Sequence, residues 1–386
     1  MSFDRDIFEP EHEAFRDSVR GFLEKEAVPH TARWEAEGLV DRSFWKSAAS
    51  QGLVGFSAPE ALGGGGLRDF RFNAVLNEEV VRTGTVGDGF SLTNDIVLPY
   101  YLDIADTEQQ QRWVPGIVQG DSVIAIAMSE PGTGSDLRAI KTTAKRVGDD
   151  WRLTGSKIFI TSGIQADLII VAARIPDEDG GGFGLFVVEA GQEGFERGRK
   201  LEKVGRKAQD TAELFFSDVH VSGDNVLGTP GKGLHYMMKN LAQERLSMSV
   251  VAVASAEYAV DLAVEYGKDR TAFGKPVGSF QANKFALAEL STKVSIARVF
   301  VDRCIKAHNA ENCRLRTRQA RSSGPPSWSS RRSTDVFSCS AATGTWTSSR
   351  CRGAGETPGY NGSMAAPTRS CGRSSGGLSV SERSDE

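Results

Sequence analysis

The chain has 386 residues, a net charge of −4, 39% hydrophobic and 25% charged residues. That composition belongs to an ordinary globular protein with room for two or three domains, and excludes a disulfide-rich scaffold or a low-complexity chain. No uninterrupted apolar run is long enough for a bilayer span, and the opening MSFDRDIFEPEHE lacks a secretory signal's basic and apolar regions, so the expected compartment is cytoplasmic.

Residues 8–30, FEPEHEAFRDSVRGFLEKEAVPH, predict a helix: Pro10 suits a first turn, and Phe15, Val19, Phe22 and Leu23 share one face. FNAVLNEEVVRTG and TEQQQRWVPGIVQG continue the helical pattern around the turn segment EALGGGG. The period then changes. SVIAIAMSE, DWRLTGSKIFIT, DLIIVAAR, GFGLFVVEA and AELFFSDVHV are short β-branched or aromatic runs separated by Gly, Asp and Pro, with no helical stretch between them. They predict a β domain rather than a Rossmann array. After Gly233, LHYMMKNLAQERLSMSVVAVASAEYAVDLAVEYGKDR reads as one long helix. FALAELSTKVSIARVFVDRCIKAHN reads as a second, with Leu287, Leu290, Val294, Ala297, Val301 and Ile305 at helical spacing. The order is α, β, α.

Common catalytic signatures are absent. The five His are scattered without metal-ligand spacing, GTPGKGL lacks the P-loop pattern, and no GxSxG occurs. Three stretches remain: MSEPGTGSD (128–136), KIFITSG (157–163) and DRTAFGKPVGSFQ (269–281). Each alone is an interstrand loop, an ordinary strand or a charged hinge. In this order and context, with PEALGGGG before them, they resemble the acyl-CoA dehydrogenase family over about residues 6–310.

The resemblance implies an α+β multidomain flavoprotein. A helical domain (1–121) and a middle β-barrel domain (122–230) precede a C-terminal helical bundle (231–311), incomplete before an aberrant, disordered tail (312–386). The implied cofactor is FAD, contacted by Ile126, Met128, Ser129 and Ser135, by Phe159, Ile160 and Thr161, and by Arg270 and Gln281 reaching toward a neighbouring subunit. Phe159 stands where many members have Trp. Ser135, Tyr236 and Arg245 are the implied substrate contacts. The implied partners are an acyl-CoA, an electron-transfer flavoprotein and further copies of the chain, as a tetramer or dimer, with neither nucleic acid nor a membrane span.

The family's base is a carboxylate that takes the α-proton while hydride leaves the β-carbon. One branch carries it near the C-terminus in a Y-E-G-T-like stretch. The isovaleryl and long-chain branch carries it on the long helix in an E-R-L stretch. Here LAQERLSMSV puts Glu244 at the second location. A solvated Glu–Arg pair is the alternative, but the apolar residues that follow speak against full exposure.

From Cys313 onward the chain carries eleven Arg, no Lys, no Ile and five acids, a net of +6 that leaves −10 for the rest. Such a tail could bind nucleic acid or remain unfolded, yet it also reads as GC-rich coding sequence one base out of step. Met and Trp codons constrain the other frame tightly. Trp346–Thr347 forces Asp, Met364–Ala365 forces Gly, and Tyr360–Asn361 leaves Gln or a stop. The alternative frame permits G-G-Y-G-Y-M-D and V-Q-R-I-Y-G-G-T-N-E at the family's spacing, although Cys339–Ser340 excludes the family's His. A one-base change near Glu311–Cys313 accounts for this, and the forced Gly removes a C-terminal Glu as base. The expected function is FAD-dependent α,β-dehydrogenation of an acyl-CoA in fatty-acid or branched-chain catabolism. The competing expectation is an inactive product lacking the last FAD- and tetramer-forming helices.

Overall fold

The computed structural model describes residues 5–85 and 89–321, with side chains through residue 310. Helix α1 (Pro10–Glu26) begins where Pro10 needs no N–H partner, and a capping box between Glu9 and His12 closes its first turn. Its buried face (Val19, Phe22, Leu23) joins α2 (Thr31–Glu37), α3 (Arg42–Ser50) and α4 (Phe70–Arg82) around Trp34, Phe44, Phe72 and Phe90. A π-helical turn, Ser91–Val97, runs directly into α5 (Leu98–Asp103), followed by α6 (Thr107–Val118).

Seven strands form one sheet: β1 (Ile124–Ala127), β2 (Thr143–Val147), β3 (Asp150–Thr161), β4 (Leu168–Arg174), β5 (Phe183–Glu189), β6 (Phe195–Lys200) and β7 (Thr211–Val221). β4 and β5 are nearly continuous apolar runs because both faces are covered. One face packs on the helices through Tyr101, Trp113, Ile117, Ile170 and Leu185. The other packs within the sheet through Trp151, Phe186, Leu214 and Phe216.

The β-barrel expected from the sequence is not what forms. The sheet is an open half-barrel, curling through 272° with its edges 12 Å apart. β6 pairs with β7 alone. The outer side of β5 is instead bridged by the chain leading into the long helix, through Phe186–Val226 and Phe183–Lys232. With that edge bridged by a connecting segment, β6 and β5 form no ladder that would complete a cylinder.

Helix α7 (Gly233–Asp269) starts against β5, where a Cβ on Gly233 would lie 2.9 Å from the Phe183 carbonyl oxygen. By length and composition α7 could cross a membrane, which the sequence reading did not anticipate. Its Leu246, Val250 and Val253 pack instead with Phe70 and Ala74 of α4 and with Val301, Cys304 and Ile305 of α8 (Gln281–Arg321). A short hairpin of β8 (Thr271–Ala272) and β9 (Lys275–Pro276) joins the two helices.

Charge reinforces this packing. Buried Glu78 on α4 receives Arg5, Arg16 and Arg298, while neighbouring Glu79 receives Arg16 and Arg20. Burial pushes the Glu78 carboxyl up, but the charges of Arg5 and Arg298 outweigh it and hold it below the usual range. The backbone of α8 continues to Arg321, and the rest of the tail assigned to a shifted frame lies outside the described residues.

Candidate active site

Two groups of residues carry chemistry, one on α7 and one on the sheet. On α7, Glu244 is half-buried, and the Tyr100 phenol of α5 donates to its Oε1 at 3.1 Å. Burial pushes the Glu244 carboxyl up to about 7, with the Tyr100 hydrogen bond and the adjacent Arg245 charge pulling the other way. A carboxyl poised there is a competent proton acceptor near neutrality. Tyr100 itself is raised, first by burial and then by the Glu244 charge. Asn240, one turn earlier on α7, lies beside the same phenol.

On the sheet, the loop after β1 lies against β3. Lys157 Nζ, fully buried, donates to the Met128 carbonyl at 3.0 Å and to Glu130 Oε1 at 2.9 Å. Ile158 N–H donates to the Ser129 carbonyl at 3.0 Å. Glu130 also accepts from the Lys141 and Thr142 amides, so one buried ion pair ties both ends of the 128–142 loop to the strand. Burial lowers Lys157 to about 8 against the pull of Glu130. The ladder between β3 and β7 shifts register between Lys157 and Ile160. Within that bulge Phe159 takes φ 62° and stands 66% exposed. Ile160 turns inward and is buried, whereas Thr161 is half-buried at the strand end.

A strained, exposed aromatic beside half-buried Met128 and the hydroxyls of Ser129 and Thr161 is a donor set that fits a flat, apolar-faced ring with polar edges. Ile126 is half-buried on β1, and Ser135 is exposed on the loop. Met128, Ser129, Phe159 and Thr161 thus lie on one loop and on the bulged end of β3.

Other sequence-derived candidates lie apart. Tyr236 is two turns before Glu244 on α7, and its Oη accepts from the Thr229 amide at 3.1 Å. Arg245 is half-buried beside Glu244. Arg270 and Gln281 are both exposed beyond the far end of α7. The sequence separation of 26 between Glu244 and Arg270 places them roughly 39 Å apart along the helix. Sequence reasoning missed Tyr100, Asn240, Lys157 and Glu130. The last two stand inside the quoted motifs, where a Lys opening the apolar run Ile158–Ile160 of a strand was the available signal.

The chain matches the family models "Acyl-CoA dehydrogenase, N-terminal domain" over 9–121, the middle domain over 125–219 and the C-terminal domain over 231–322. It belongs to the acyl-CoA dehydrogenase family. It is 45% identical to the Mus musculus mitochondrial long-chain specific acyl-CoA dehydrogenase over 310 residues, 80% of this chain and 72% of that protein. It is 33% identical to the mitochondrial isovaleryl-CoA dehydrogenase of Oryza sativa subsp. japonica, over 76% of this chain and 73% of that one. Among solved structures, an acyl-CoA dehydrogenase from Geobacillus kaustophilus superposes with a TM-score of 0.77 and 46% identity, covering 80% and 82% of the two chains.

The chain is accordingly a flavin-linked oxidoreductase, an FAD-dependent acyl-CoA dehydrogenase of the branch near the long-chain and isovaleryl enzymes. The cytoplasmic expectation is corrected by these relatives, since the mouse and rice proteins are mitochondrial. Lack of a secretory segment does not separate those two compartments.

Proposed function

We propose that Glu244 is the base of this acyl-CoA dehydrogenase. The observation that supports it is a half-buried carboxyl on α7, pushed to about 7 and held by Tyr100. In this reading Glu244 takes the α-proton of the acyl thioester. Tyr100 keeps its Oε1 in place. Bound FAD would supply the acceptor for the hydride lost from the β-carbon, so that the product is the trans-2-enoyl thioester. Ile126, Met128, Ser129, Ser135, Phe159 and Thr161, with the backbone of Ile160, would hold its ring on the sheet, and Lys157 ties the Met128 loop to that strand. Tyr236 and Arg245 flank the thioester.

Arg270 and Gln281 would serve the FAD of a second copy, a role that accords with their exposure and their distance along α7 from Glu244. Oligomerisation would then be part of cofactor binding, and an electron-transfer flavoprotein would take the electrons onward. The shifted-frame origin of residues 312–386 belongs to the same proposal, with the inactive product as its competitor.

The test is expression of the chain beside a version with its frame restored near Glu311–Cys313, each assayed with acyl-CoA and an artificial electron acceptor. A yellow, oligomeric, active protein from the unaltered chain would remove the inactive reading. Glu244→Gln is expected to retain FAD and lose turnover by about 1,000-fold or more. Retained turnover would refute the base assignment.

A further inference from the structure

Beside the Glu244 turn lies a buried carboxylate that the dehydrogenation does not use. Asp95 sits in the π-helical turn Ser91–Val97 and is 2% exposed. Its Oδ1 accepts from Asn73 Nδ2 at 2.6 Å and its Oδ2 from Asn77 Nδ2 at 2.7 Å, both on α4. Ser247 of α7 donates its hydroxyl to the same Oδ2, and Gln243 Nε2 donates to the Asp95 main-chain carbonyl at 2.8 Å. Gln243 and Ser247 are four apart on one face of α7 and bracket Glu244 in sequence. Tyr100, which holds Glu244, lies five residues after Asp95 on the continuation of the same turn.

The two rows of α7 are therefore held by one short segment. Gln243 and Ser247 are fixed by Asp95, with Gln243 Oε1 also meeting His308 of α8 at 3.3 Å, a ring whose burial lowers it to about 4, and Glu244 with its neighbour Asn240 faces Tyr100. The segment is anchored on its other side as well. Asn94 accepts from the Gly55 amide at 2.8 Å and donates to the Leu53 carbonyl at 2.9 Å. All four side chains that contact Asp95 from α4 and α7 are neutral. A carboxylate buried without a cation is a costly way to fill a core, where an apolar side chain would pack at no such penalty. π-helical turns are themselves rare and concentrate at functional sites.

We propose that Asp95 is a positioning residue for Glu244, fixing the register of α7 against α5 so that the carboxyl meets the Tyr100 phenol and points at the substrate. The proposal rests on the assignment of Glu244 as base. Asp95→Asn removes one acceptor where three donors converge, and Ser247→Ala removes a single donor while leaving the core filled.

The experiment uses the FAD-loaded protein, either the chain as it stands or, where that is inactive, the version with its frame restored, and follows kcat, KM and their pH dependence per bound FAD. Alongside it, infrared difference titration of the Glu244 carboxyl is taken against Glu244→Gln. Asp95→Asn is expected to lower kcat roughly 100-fold, as for a base displaced by about 1 Å, with KM within about three-fold. Its carboxyl midpoint should fall, because a loosened α7 admits water to Glu244. Ser247→Ala should move both readouts in the same direction, with a loss of about ten-fold in kcat. It decides the matter if Asp95→Asn does not fold. Unchanged kcat and an unchanged carboxyl midpoint in a folded variant overturn the proposal, even where the melting temperature drops. If Glu244→Gln turns over normally, the base assignment falls, while the infrared midpoint still reports whether Asp95 governs the Glu244 environment.

Discussion

Tyr100 Oη donates to Glu244 Oε1 at 3.1 Å, joining α5 to α7 across 144 residues of sequence. The bond favours the charged carboxyl and so opposes the upward push of burial. Tyr100→Phe should therefore raise the Glu244 pKa further above about 7. The acid limb of the kcat/KM profile should move to higher pH, and turnover at pH 7 should fall on the order of ten-fold. A limb that stays in place would show that the phenol does not touch the working carboxyl.

That relationship was beyond the reach of the sequence, since nothing in LPYYLD distinguishes Tyr100 from an ordinary core tyrosine. Glu244 was singled out by the resemblance of its E-R-L stretch to the family's, and its partial burial was legible because the pair leads into the apolar SMSVVAVASA on a helix with no Gly or Pro from Leu234 to Tyr266. The flavin-side motifs were legible as strings but not as a shelf. Their convergence depends on Lys157 reaching back to Met128, a contact set by the β3 bulge. The half-barrel was missed for a different reason. Strand count and alternation predict a sheet, whereas closure depends on which segment covers the edge of β5. The role of Val226 and Lys232 there has no local signature.

Glu244 also makes stability depend on pH. Its carboxyl is raised in the folded state, so the native protein binds more protons than the unfolded chain between about 4.5 and about 7. Stability should fall as pH rises through that window, by up to roughly 3 kcal/mol from this group. Glu244→Gln, neutral at every pH, should lose that part of the slope. Melting temperatures of the two proteins should lie closest near pH 4.5 and separate by pH 8, with the variant higher. Parallel curves across the range would contradict the half-buried, raised carboxyl.

Phe159 offers a separation of strain from cofactor binding. At φ 62° an aromatic residue occupies the left-handed region at a cost of roughly 1–2 kcal/mol, whereas glycine enters it freely. Because the ring is 66% exposed, little packing is lost on removing it. Phe159→Gly should leave the apoprotein as stable as its parent or slightly more so, while weakening FAD binding through loss of the aromatic face. Calorimetry of the apoprotein and fluorescence titration with FAD measure the two effects independently. Destabilised apoprotein with unchanged FAD affinity would assign the ring a structural task instead.

Lys157 should be the most sensitive single position on the sheet. Its buried Nζ satisfies the buried Glu130 and the Met128 carbonyl, and Glu130 in turn gathers the Lys141 and Thr142 amides. Lys157→Met keeps the length of the side chain but leaves a buried carboxylate without its cation, a loss of about 3–5 kcal/mol. Glu130→Gln added to Lys157→Met removes that stranded charge while keeping an amide acceptor for the loop, so the double variant should recover much of the melting temperature. FAD affinity should not recover in parallel, because the Met128 carbonyl still lacks the ammonium that fixes the loop against β3. Chemical denaturation and FAD titration of the three variants form a complete cycle. If the double variant regains both stability and FAD affinity, the ion pair serves only to satisfy itself; if it regains stability alone, the ammonium sets the shelf on which the flavin rests.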